Sequence, residues 1–360
     1  MADYPTAETD RRIGAEPLTA ISVAIFKASG MHKRDAALLA DSLVHADLRG
    51  VHSHGVLRIP DYVHKLKDGG VNPAGKPFVV SRNGAAAVVD GGNNMGQIGA
   101  HFAMEMAMDM ARETGVALVA LRGSNHCGAL DWYTLRAAGN GMIGMVGSNA
   151  LPTMAPLGGR DKIVGMNPIS IAMPGHNEPP VVLDLAFGAT AHGKIRVYHQ
   201  KDLPLPTGWA YDANGEPTTD AGIALEGLIQ PAGGHKGIAL AMMVGMLSTL
   251  LSGAGYGTEL GNMVDGPIAG QDGQFFLVIN VAAFRALADF GVDADKVVQQ
   301  IHGSSRRDIA QPLLVPGEME RQFEAKYKTA GILLPGETLD DIRKTGISLG
   351  MDPEILAALG

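Results

Sequence analysis

Apolar residues recur three and four positions apart near the start of the chain, which is the spacing of a helix with one buried face. This spacing predicts helices near residues 17–29 and 35–48. Gly50 is placed to end the second helix, and Pro60 suits the first turn of a third. The opening part of the chain is therefore predicted to be helical.

Short apolar runs separated by turn residues replace this pattern after Pro73, and they predict strands. The predicted strands are residues 78–80, 85–89, 116–121, 142–146, 181–186 and 275–281. The predicted helices of this part are residues 97–114, 129–138, 233–252, 293–303, 317–329, 337–346 and 352–359. Residues 199–222 are rich in Pro, Gly and Asp, and we expect them to lie on the surface. Strands that alternate with helices indicate an α/β protein.

The composition narrows the class of protein. The chain has 360 residues, of which 46% are hydrophobic and 18% charged, and this allows two or three domains. The net charge of −8 argues against nucleic acid as a partner but permits a small anionic substrate. The single cysteine, Cys127, excludes an intrachain disulfide and fits a reducing compartment. Residues 1–5 show no signal-peptide pattern and the longest apolar run, 238–251, is too short for a bilayer, so we expect a cytoplasmic protein without a membrane partner.

The candidate chemistry centres on residues 47–62, the connection between the second and third predicted helices. Its polar side chains include His52, Ser53, His54, Arg58 and Tyr62. Titratable side chains crowded on a short connection are more often functional than structural. The plain alternative is a solvated loop between two helices.

Two other chemistries fit parts of this loop. His52 and His54 have the spacing of two metal ligands on one strand face, which would suit a metal-dependent hydrolase, although the flanking residues predict helix and turn. Ser53 adjoins His54, but adjacency in sequence does not create a nucleophile–base geometry, and no Gly-x-Ser-x-Gly motif occurs. A binding module without catalysis is a third alternative, but it has little need of several His-bearing glycine turns.

Polar glycine turns recur further along the chain. Residues 123–128 join a predicted strand to a helix and carry His126, whose protonation the helix dipole would disfavour. Asp184 lies near the end of a strand, where α/β proteins usually bind ligands. Residues 233–237 open a long helix and suit a phosphate group. Gly-x-Gly-x-x-Gly is absent, and its nearest counterpart, residues 253–258, follows a helix, so a nicotinamide cofactor would bind outside the Rossmann pattern.

The motifs and their order resemble those of the type-2 malate/L-lactate dehydrogenase family, which includes ureidoglycolate dehydrogenase, diketogulonate reductase and piperideine-carboxylate reductase. The matching motifs are Ala46-Asp47-Leu48-Arg49-Gly50-Val51, Ser53-His54-Gly55-Val56-x-Arg58-Ile59-Pro60-x-Tyr62, Ser124-Asn125-His126-x-Gly128, Gly165-x-Asn167-Pro168-Ile169, Leu183-Asp184-x-Ala186, Gly193-Lys194-Ile195, Gly233-Gly234-x-Lys236-Gly237 and Pro316-Gly317-Glu318. Each motif alone is weak, but together they cover nearly the whole chain and are specific.

The resemblance implies an α/β, malate/L-lactate dehydrogenase-like fold outside the Rossmann type, with a mixed, largely antiparallel sheet in the cofactor domain and helical N- and C-terminal segments. We divide the chain into a helical segment, 1–75, packed with 305–360, a small α/β segment, 76–122, and an NAD(P)-binding domain, 123–304. The resemblance also implies a homodimer that uses NAD or NADP to interconvert a small anionic 2-hydroxy acid and its 2-oxo acid.

Roles for individual residues follow from the resemblance too. His54 is implied as the proton donor to the substrate carbonyl, with Ser53 beside it, and a histidine has a pKa suited to that transfer. Arg58 would hold the substrate carboxylate, and Tyr62 is a second candidate for substrate binding. The candidate cofactor contacts are His126, Cys127, Gly128, Ser148, Asp184, Leu185, Ala186, Lys236 and Gly237. His126 is also a candidate catalytic residue, and no metal ion is expected.

Two positions depart from the family pattern. Imine-reducing members carry Asp where this chain has Lys194, which favours a hydroxy acid over the alternative of a cyclic imine acid or diketo sugar acid. Lys194 is itself a candidate catalytic residue. The long helix usually carries Glu about where Gly245 stands, so the role of that carboxylate is open. Arg306 and Arg307 could neutralise a 2′-phosphate, but nothing in the sequence puts them beside a ribose, so NAD and NADP both stay open.

Overall fold

The structure is a computed structural model that describes residues 9–264 and 266–359. Residues 1–5, which we expected to lack a signal peptide, lie outside the described residues, and so do the outermost parts of the two predicted terminal segments. None of the described helices combines the length and the apolar character needed to cross a bilayer.

The helical start predicted from the apolar spacing is confirmed, and further helices lie between and after the strands. The helices are α1 (Ala15–Ala28), α2 (Lys33–Leu48), α3 (Ile59–Asp68), α4 (Gly96–Thr114), α5 (Asp131–Gly139), α6 (His192–Gln200), α7 (Ala221–Glu226), α8 (His235–Leu250), α9 (Leu287–His302), α10 (Glu318–Ala330) and α11 (Gly336–Ser348). Gly69, in the left-handed conformation, ends α3, as glycine does at many helix C-termini.

The strands are short and come from all parts of the chain. They are β1 (Arg11–Ile13), β2 (Phe78–Asn83), β3 (Ala86–Asp90), β4 (Val116–Ser124), β5 (Met142–Ser148), β6 (Pro152–Met154), β7 (Val164–Gly165), β8 (Ile169–Met173), β9 (Val181–Leu185), β10 (Ala210–Tyr211), β11 (Pro217–Thr218), β12 (Leu228–Ile229), β13 (Asp272–Asn280) and β14 (Ile332–Leu334). Every strand predicted from an apolar run is present.

One seven-stranded sheet organises the middle of the chain, in the order β2-β3-β4-β13-β5-β8-β9. Within it β3 and β4 run parallel, and the other neighbouring pairs are antiparallel. The predicted mixed, largely antiparallel sheet is therefore confirmed. The sheet passes through both 76–122 and 123–304, and the proposed division into domains stays a prediction.

Helices cover both faces of this sheet. Phe275 and Phe276 are neighbours on β13, so their side chains point to opposite faces. Phe276 belongs to the core under α4 and α5, whereas Phe275 belongs to the core under α8. A third core joins α1, α2 and α3 to α10 and α11, and β1 pairs with β14 at its edge.

Some elements differ from the sequence prediction. Residues 352–359 do not form the predicted α-helix; their hydrogen bonds run from residue i to residue i+3 and end in a 3₁₀ turn, Ala357–Leu359. Apolar periodicity did not indicate β1, β8, β14 or α6. Segments rich in glycine lie next to β8 and α6, and β1 and β14 have only three residues each.

Candidate active site

A buried carboxylate shapes the loop between α2 and α3. Asp47 is fully buried; its Oδ1 lies 2.8 Å from His52 Nδ1, and its Oδ2 accepts a 2.7 Å hydrogen bond from the Val56 N–H. Gly55 has to be glycine here, because a Cβ at this position would lie 2.1 Å from Asp47 Oδ1. Asp47 thus closes the loop into two consecutive 3₁₀ turns and commits His52 to a structural contact.

The first of these turns brings Ser53 and His54 into contact. Ser53 Oγ lies 2.8 Å from His54 Nδ1, so the structure places Ser53 beside His54. A 3₁₀ turn lets neighbouring side chains approach, whereas a strand would point them to opposite faces. The serine hydroxyl can donate to a bare Nδ1 or accept from a protonated one, so it supports either protonation state of His54.

His54 and His126 lie face to face, although they are far apart in the sequence. Their ring centroids are 5.3 Å apart at an interplanar angle of 23°. Tyr62 is buried, and its hydroxyl lies 2.6 Å from His126 Nδ1 and accepts a 3.1 Å hydrogen bond from Gln97 Nε2. The hydroxyl of Tyr62, a predicted substrate contact, is therefore already committed to two protein partners.

Both imidazoles are biased toward the neutral form. Burial and, to a smaller extent, the Arg58 guanidinium lower the pKa of His54 to about 4, with Asp131 partly opposing this change. Burial also lowers the pKa of His126 well below its ordinary value, with help from His54 and Arg58. We expected a neutral His126 from the dipole of the following helix, but these contacts provide the cause, because α5 begins only at Asp131.

Arg58 is held in place beside the histidines. Its Nε donates to the Ser53 carbonyl oxygen at 2.7 Å, and one terminal nitrogen lies 3.1 Å from Asp61 Oδ2. The side chain is 24% exposed, so the rest of its N–H groups can be reached from outside. A fixed, accessible guanidinium next to the two imidazoles suits a carboxylate ligand.

Four of the predicted cofactor segments are neighbours in the structure. The Ser148 hydroxyl lies close enough to the Cys127 thiol to oppose the rise of its pKa, and the Asp131 N–H donates to Asp184 Oδ2 at 2.8 Å. The Ala232 N–H donates to the Phe187 carbonyl oxygen at 2.8 Å, which ties the segment after Asp184 to the turn before α8. These contacts connect the segments around Cys127, Ser148 and Asp184 to the turn before α8.

The start of α8 is built to approach a ligand closely. Gly233 and Gly234 have φ of 66° and 62°, and a Cβ on either would meet no atom within 4 Å. Lys236 is exposed in the first turn of α8, where the backbone N–H groups lack helical partners. Gly237 is needed for packing, because a Cβ there would lie 1.9 Å from the Ala232 carbonyl oxygen. The residues present therefore fit a phosphate group of a nicotinamide dinucleotide.

Asp184 lies at the end of β9 and lines a cavity of about 340 Å³ together with Arg49, Asp131 and Gly317. Its carboxylate is surrounded by protein atoms and lies near the Asp131 carboxylate, and both raise its pKa above the usual range, although the residue as a whole is exposed. Arg49 Nε lies 2.5 Å from Asp131 Oδ2 and neutralises that partner. The adjoining residues Leu185 and Ala186 are exposed, as a ligand contact requires.

Other predicted positions lie apart from the histidine pair. Lys194 Nζ sits 5.1 Å from the ring centroid of Trp209, and no hydrogen bond or ion pair among the described residues joins it to His54. Gly245 cannot carry a carboxylate without rearrangement, because its Cβ would lie 2.4 Å from Asn167 Nδ2. Arg306 is exposed on the loop after α9 and contacts only a nearby carbonyl oxygen among the described residues.

The metal-hydrolase alternative finds little support in the loop. The Nδ1 atoms of His52 and His54 face two different partners, Asp47 and Ser53. Among residues 9–264 and 266–359, no group of three or more His, Cys, Asp and Glu side chains is arranged to hold a metal ion.

Sequence reasoning missed Asp47 and Gln97 as parts of the site. Asp47 belongs to a quoted motif, and a carboxylate in the last turn of a helix, where the dipole disfavours it, was the available signal. Gln97 belongs to no motif and lies in the first turn of α4, so no pattern in the sequence indicated it.

Solved structures of the same architecture define the class of protein. The sulfolactate dehydrogenase from Methanocaldococcus jannaschii superposes with a TM-score of 0.90 at 35% identity, over 96% of this chain and 99% of that chain. The delta1-piperideine-2-carboxylate reductase from Pseudomonas syringae superposes with a TM-score of 0.84 at 30% identity, over 93% of this chain and 99% of that chain. Both likenesses point to the class of oxidoreductases.

The sequence comparison is more specific. Residues 13–343 match the malate/L-lactate dehydrogenase family. The ureidoglycolate dehydrogenase (NAD(+)) of Escherichia coli is 32% identical over 321 residues, which cover 89% of this chain and 90% of that protein. This chain belongs to the malate/L-lactate dehydrogenase family, as its motifs predicted. It is therefore an oxidoreductase of the type that acts on CH–OH groups, and the family implies a nicotinamide cofactor.

Proposed function

We propose that the protein interconverts a small 2-hydroxy acid and its 2-oxo acid, with NAD or NADP as the hydride carrier. The stacked pair of His54 and His126 beside Arg58 is the observation that carries this proposal. The names of the relatives support it, because sulfolactate, malate and ureidoglycolate are all 2-hydroxy acids.

His54 is the proposed proton donor and acceptor. When bound, the nicotinamide supplies or takes the hydride at the substrate carbon, so negative charge develops on the substrate oxygen during reduction. His54 gives that oxygen a proton in reduction and removes it in oxidation. Ser53 holds Nδ1 of His54 in both states, which leaves Nε2 for the substrate. His126, stacked on His54, is close enough to assist at the same oxygen.

Arg58 couples substrate binding to the protonation of His54. The guanidinium lowers the pKa of His54 while the site is empty. A substrate carboxylate bound to Arg58 offsets that positive charge, so the pKa of His54 rises when the acid is present. His54 then holds the proton that it donates to the substrate oxygen during reduction. Tyr62 is proposed to act on the substrate through His126, because its hydroxyl already contacts His126 and Gln97.

The cofactor side is proposed to use the surface that runs from His126 to Lys236. Its members are His126, Cys127, Gly128, Ser148, Asp184, Leu185, Ala186, Lys236 and Gly237. The open glycines before α8 and the exposed Lys236 suit a phosphate group, and the cavity beside Asp184 combines a few charged side chains, among them Arg49, with a mainly apolar lining. Lys194 stays a candidate catalytic residue, although its contact with Trp209 gives it a structural role as well.

A panel of substrates tests the proposal. The purified protein is mixed with NADH or NADPH and with each of a series of 2-oxo acids, cyclic imine acids and diketo sugar acids, and the cofactor absorbance is followed. We expect oxidation of one cofactor with a 2-oxo acid, unaffected by EDTA. Turnover of cyclic imines or diketo sugar acids alone would favour the alternative reductase. Ester or amide hydrolysis that EDTA abolishes would move the protein to the metal-dependent hydrolases.

We also propose that the protein is a homodimer and that α8 lies in its interface. Helix α8 packs one side on the sheet, yet its other side exposes apolar side chains, as the interface of an oligomer does. These side chains are Leu240, Met243, Met246, Leu247 and Leu250, and the exposed Leu251 follows the helix. Light scattering after gel filtration should give twice 37.5 kDa. A Leu247→Glu variant should give the monomer, and a wild-type monomer would contradict the proposal.

The three-part division and the cytoplasmic location remain proposals of the same kind. The core that joins α1–α3 to α10 and α11 supports a common unit of the two ends of the chain. The single buried cysteine supports a reducing compartment. Limited proteolysis that cuts near residues 75 and 305 would support the division, and fractionation of the source cells would test the location.

A further inference from the structure

A buried glutamine lies beneath the candidate active site. Gln97 is in the first turn of α4 and has no exposed surface. The turn that carries His126 crosses directly over it: a Cβ on Gly128 would lie 3.2 Å from Gln97 Nε2. A Cβ on Gly96 would lie 2.5 Å from the His126 carbonyl oxygen, so two glycines permit this close approach.

The side chain of Gln97 has one hydrogen-bond partner among the described residues, the Tyr62 hydroxyl. Gln97 Nε2 donates to the Tyr62 hydroxyl at 3.1 Å, whereas Oε1 is buried without a partner among the described residues. A buried amide oxygen that lacks a partner costs stability. A methionine of similar length would avoid that cost. The presence of glutamine is therefore better explained by its bond to Tyr62 than by the packing of α4.

The direction of the Gln97–Tyr62 hydrogen bond determines where the hydroxyl proton of Tyr62 lies. An amide nitrogen can only donate, so the oxygen of Tyr62 is the acceptor. The hydroxyl proton of Tyr62 is then directed to His126 Nδ1, which lies 2.6 Å away. The buried hydroxyl proton needs an acceptor, and His126 Nδ1 is the acceptor that the hydrogen bonds among the described residues offer it. Nδ1 is therefore the bare nitrogen of the neutral ring, and the proton of His126 resides on Nε2.

We propose that Gln97 is a positioning residue that, through the Tyr62 hydroxyl, sets His126 in the Nε2–H tautomer. In this form His126 can donate a hydrogen bond to the substrate oxygen but cannot remove its proton. The task of the base then falls to His54, whose Nδ1 is bonded to Ser53. The roles of His126 as hydrogen-bond donor and of His54 as base rest on the proposed function, whereas the tautomer of His126 does not.

The tautomer can be measured without substrate or cofactor. The protein is labelled with ¹⁵N at histidine, and a long-range ¹H–¹⁵N spectrum distinguishes protonated from bare ring nitrogens. The His126 signals are assigned from their loss in His126→Gln. We expect a protonated Nε2 and a bare Nδ1. A protonated Nδ1 would mean that the Gln97 carbonyl faces Tyr62, and it would overturn the inference.

Two variants then test the role of the glutamine. Gln97→Met removes the donor, so Nε2 should lose its preference for the proton. Gln97→Glu offers an acceptor instead, so Tyr62 should donate to the carboxylate and the proton of His126 should move to Nδ1. Gln230→Met is the matched control: it removes another amide, one that donates to the Ala210 carbonyl oxygen, and should leave the His126 signals unchanged.

Kinetics and stability separate positioning from a merely structural role. Loss of a group that orients a functional histidine typically lowers activity about 10- to 100-fold, and we expect Gln97→Met to lower kcat by that factor with little change in KM. Its thermal stability should equal or exceed that of the wild type. Unchanged tautomer and kcat in Gln97→Met, or a fall in stability that accounts for the lost activity, would overturn the role. If no 2-oxo acid is turned over at all, the proposed function fails while the spectra still decide the tautomer.

Discussion

The protonation of His54 leads to a prediction for catalysis in both directions. Its pKa falls from 6.5 to about 4, because burial and Arg58 both disfavour the imidazolium. At 1.36 kcal/mol per pKa unit, this fall disfavours protonation by about 3 kcal/mol. At pH 7 only about one His54 in a thousand is then protonated before the substrate binds.

Reduction needs the protonated form and oxidation the neutral form, and kcat/KM reports the enzyme before it binds the substrate. Between pH 5 and 8, kcat/KM for the 2-oxo acid should therefore fall about tenfold per pH unit, because pH rises away from the pKa of His54. Over the same range kcat/KM for the 2-hydroxy acid should stay level, because His54 is already neutral.

Initial rates at saturating cofactor, followed by nicotinamide absorbance in both directions, measure these profiles. His52→Gln is the control, since His52 contacts Asp47 and lies next to Ser53; its profile should keep the same slope. A plateau of kcat/KM for reduction that extends up to pH 6.5, with kcat/KM for oxidation rising toward that pH, would refute the lowered pKa. Such a result would show that the pKa of His54 keeps its ordinary value in the working enzyme.

Three further predictions concern single residues. His54→Ala should lower kcat about 10²- to 10⁴-fold with an unchanged circular dichroism spectrum; near-normal turnover with any accepted substrate would remove His54 from its proposed role. Arg58→Lys keeps the charge but loses the planar fork, and should raise KM for the acid about tenfold; a rise confined to the cofactor KM would assign Arg58 to the cofactor. Gly55→Ala should destabilise the protein by about 2–4 kcal/mol in urea unfolding, since the new Cβ displaces Asp47 from two hydrogen bonds; Gly139→Ala, which has open space, should be nearly neutral, and equal effects would contradict the clash.

Much of the local structure could be predicted from the sequence. The helices around Asp47 and Pro60 follow from apolar spacing and end signals, and the longer strands follow from apolar runs. The pairing of β1 with β14 could not be predicted, because each strand has three residues and their partners are more than three hundred positions apart. The family pattern located His54 and His126 in loops without indicating that their rings would stack.

The loop around His54 separates what the sequence determines from what only the tertiary structure decides. The residue types, their order and their spacing determine the family, the helix boundaries on either side of the loop and the presence of groups that can transfer a proton. The protonation of His54, its bond to Ser53 and its contact with His126 depend on burial and on Arg58, Asp131 and other residues brought together by folding. A pKa and a tautomer are set by the groups within a few ångströms of a side chain, and distance in space is what a linear pattern does not contain.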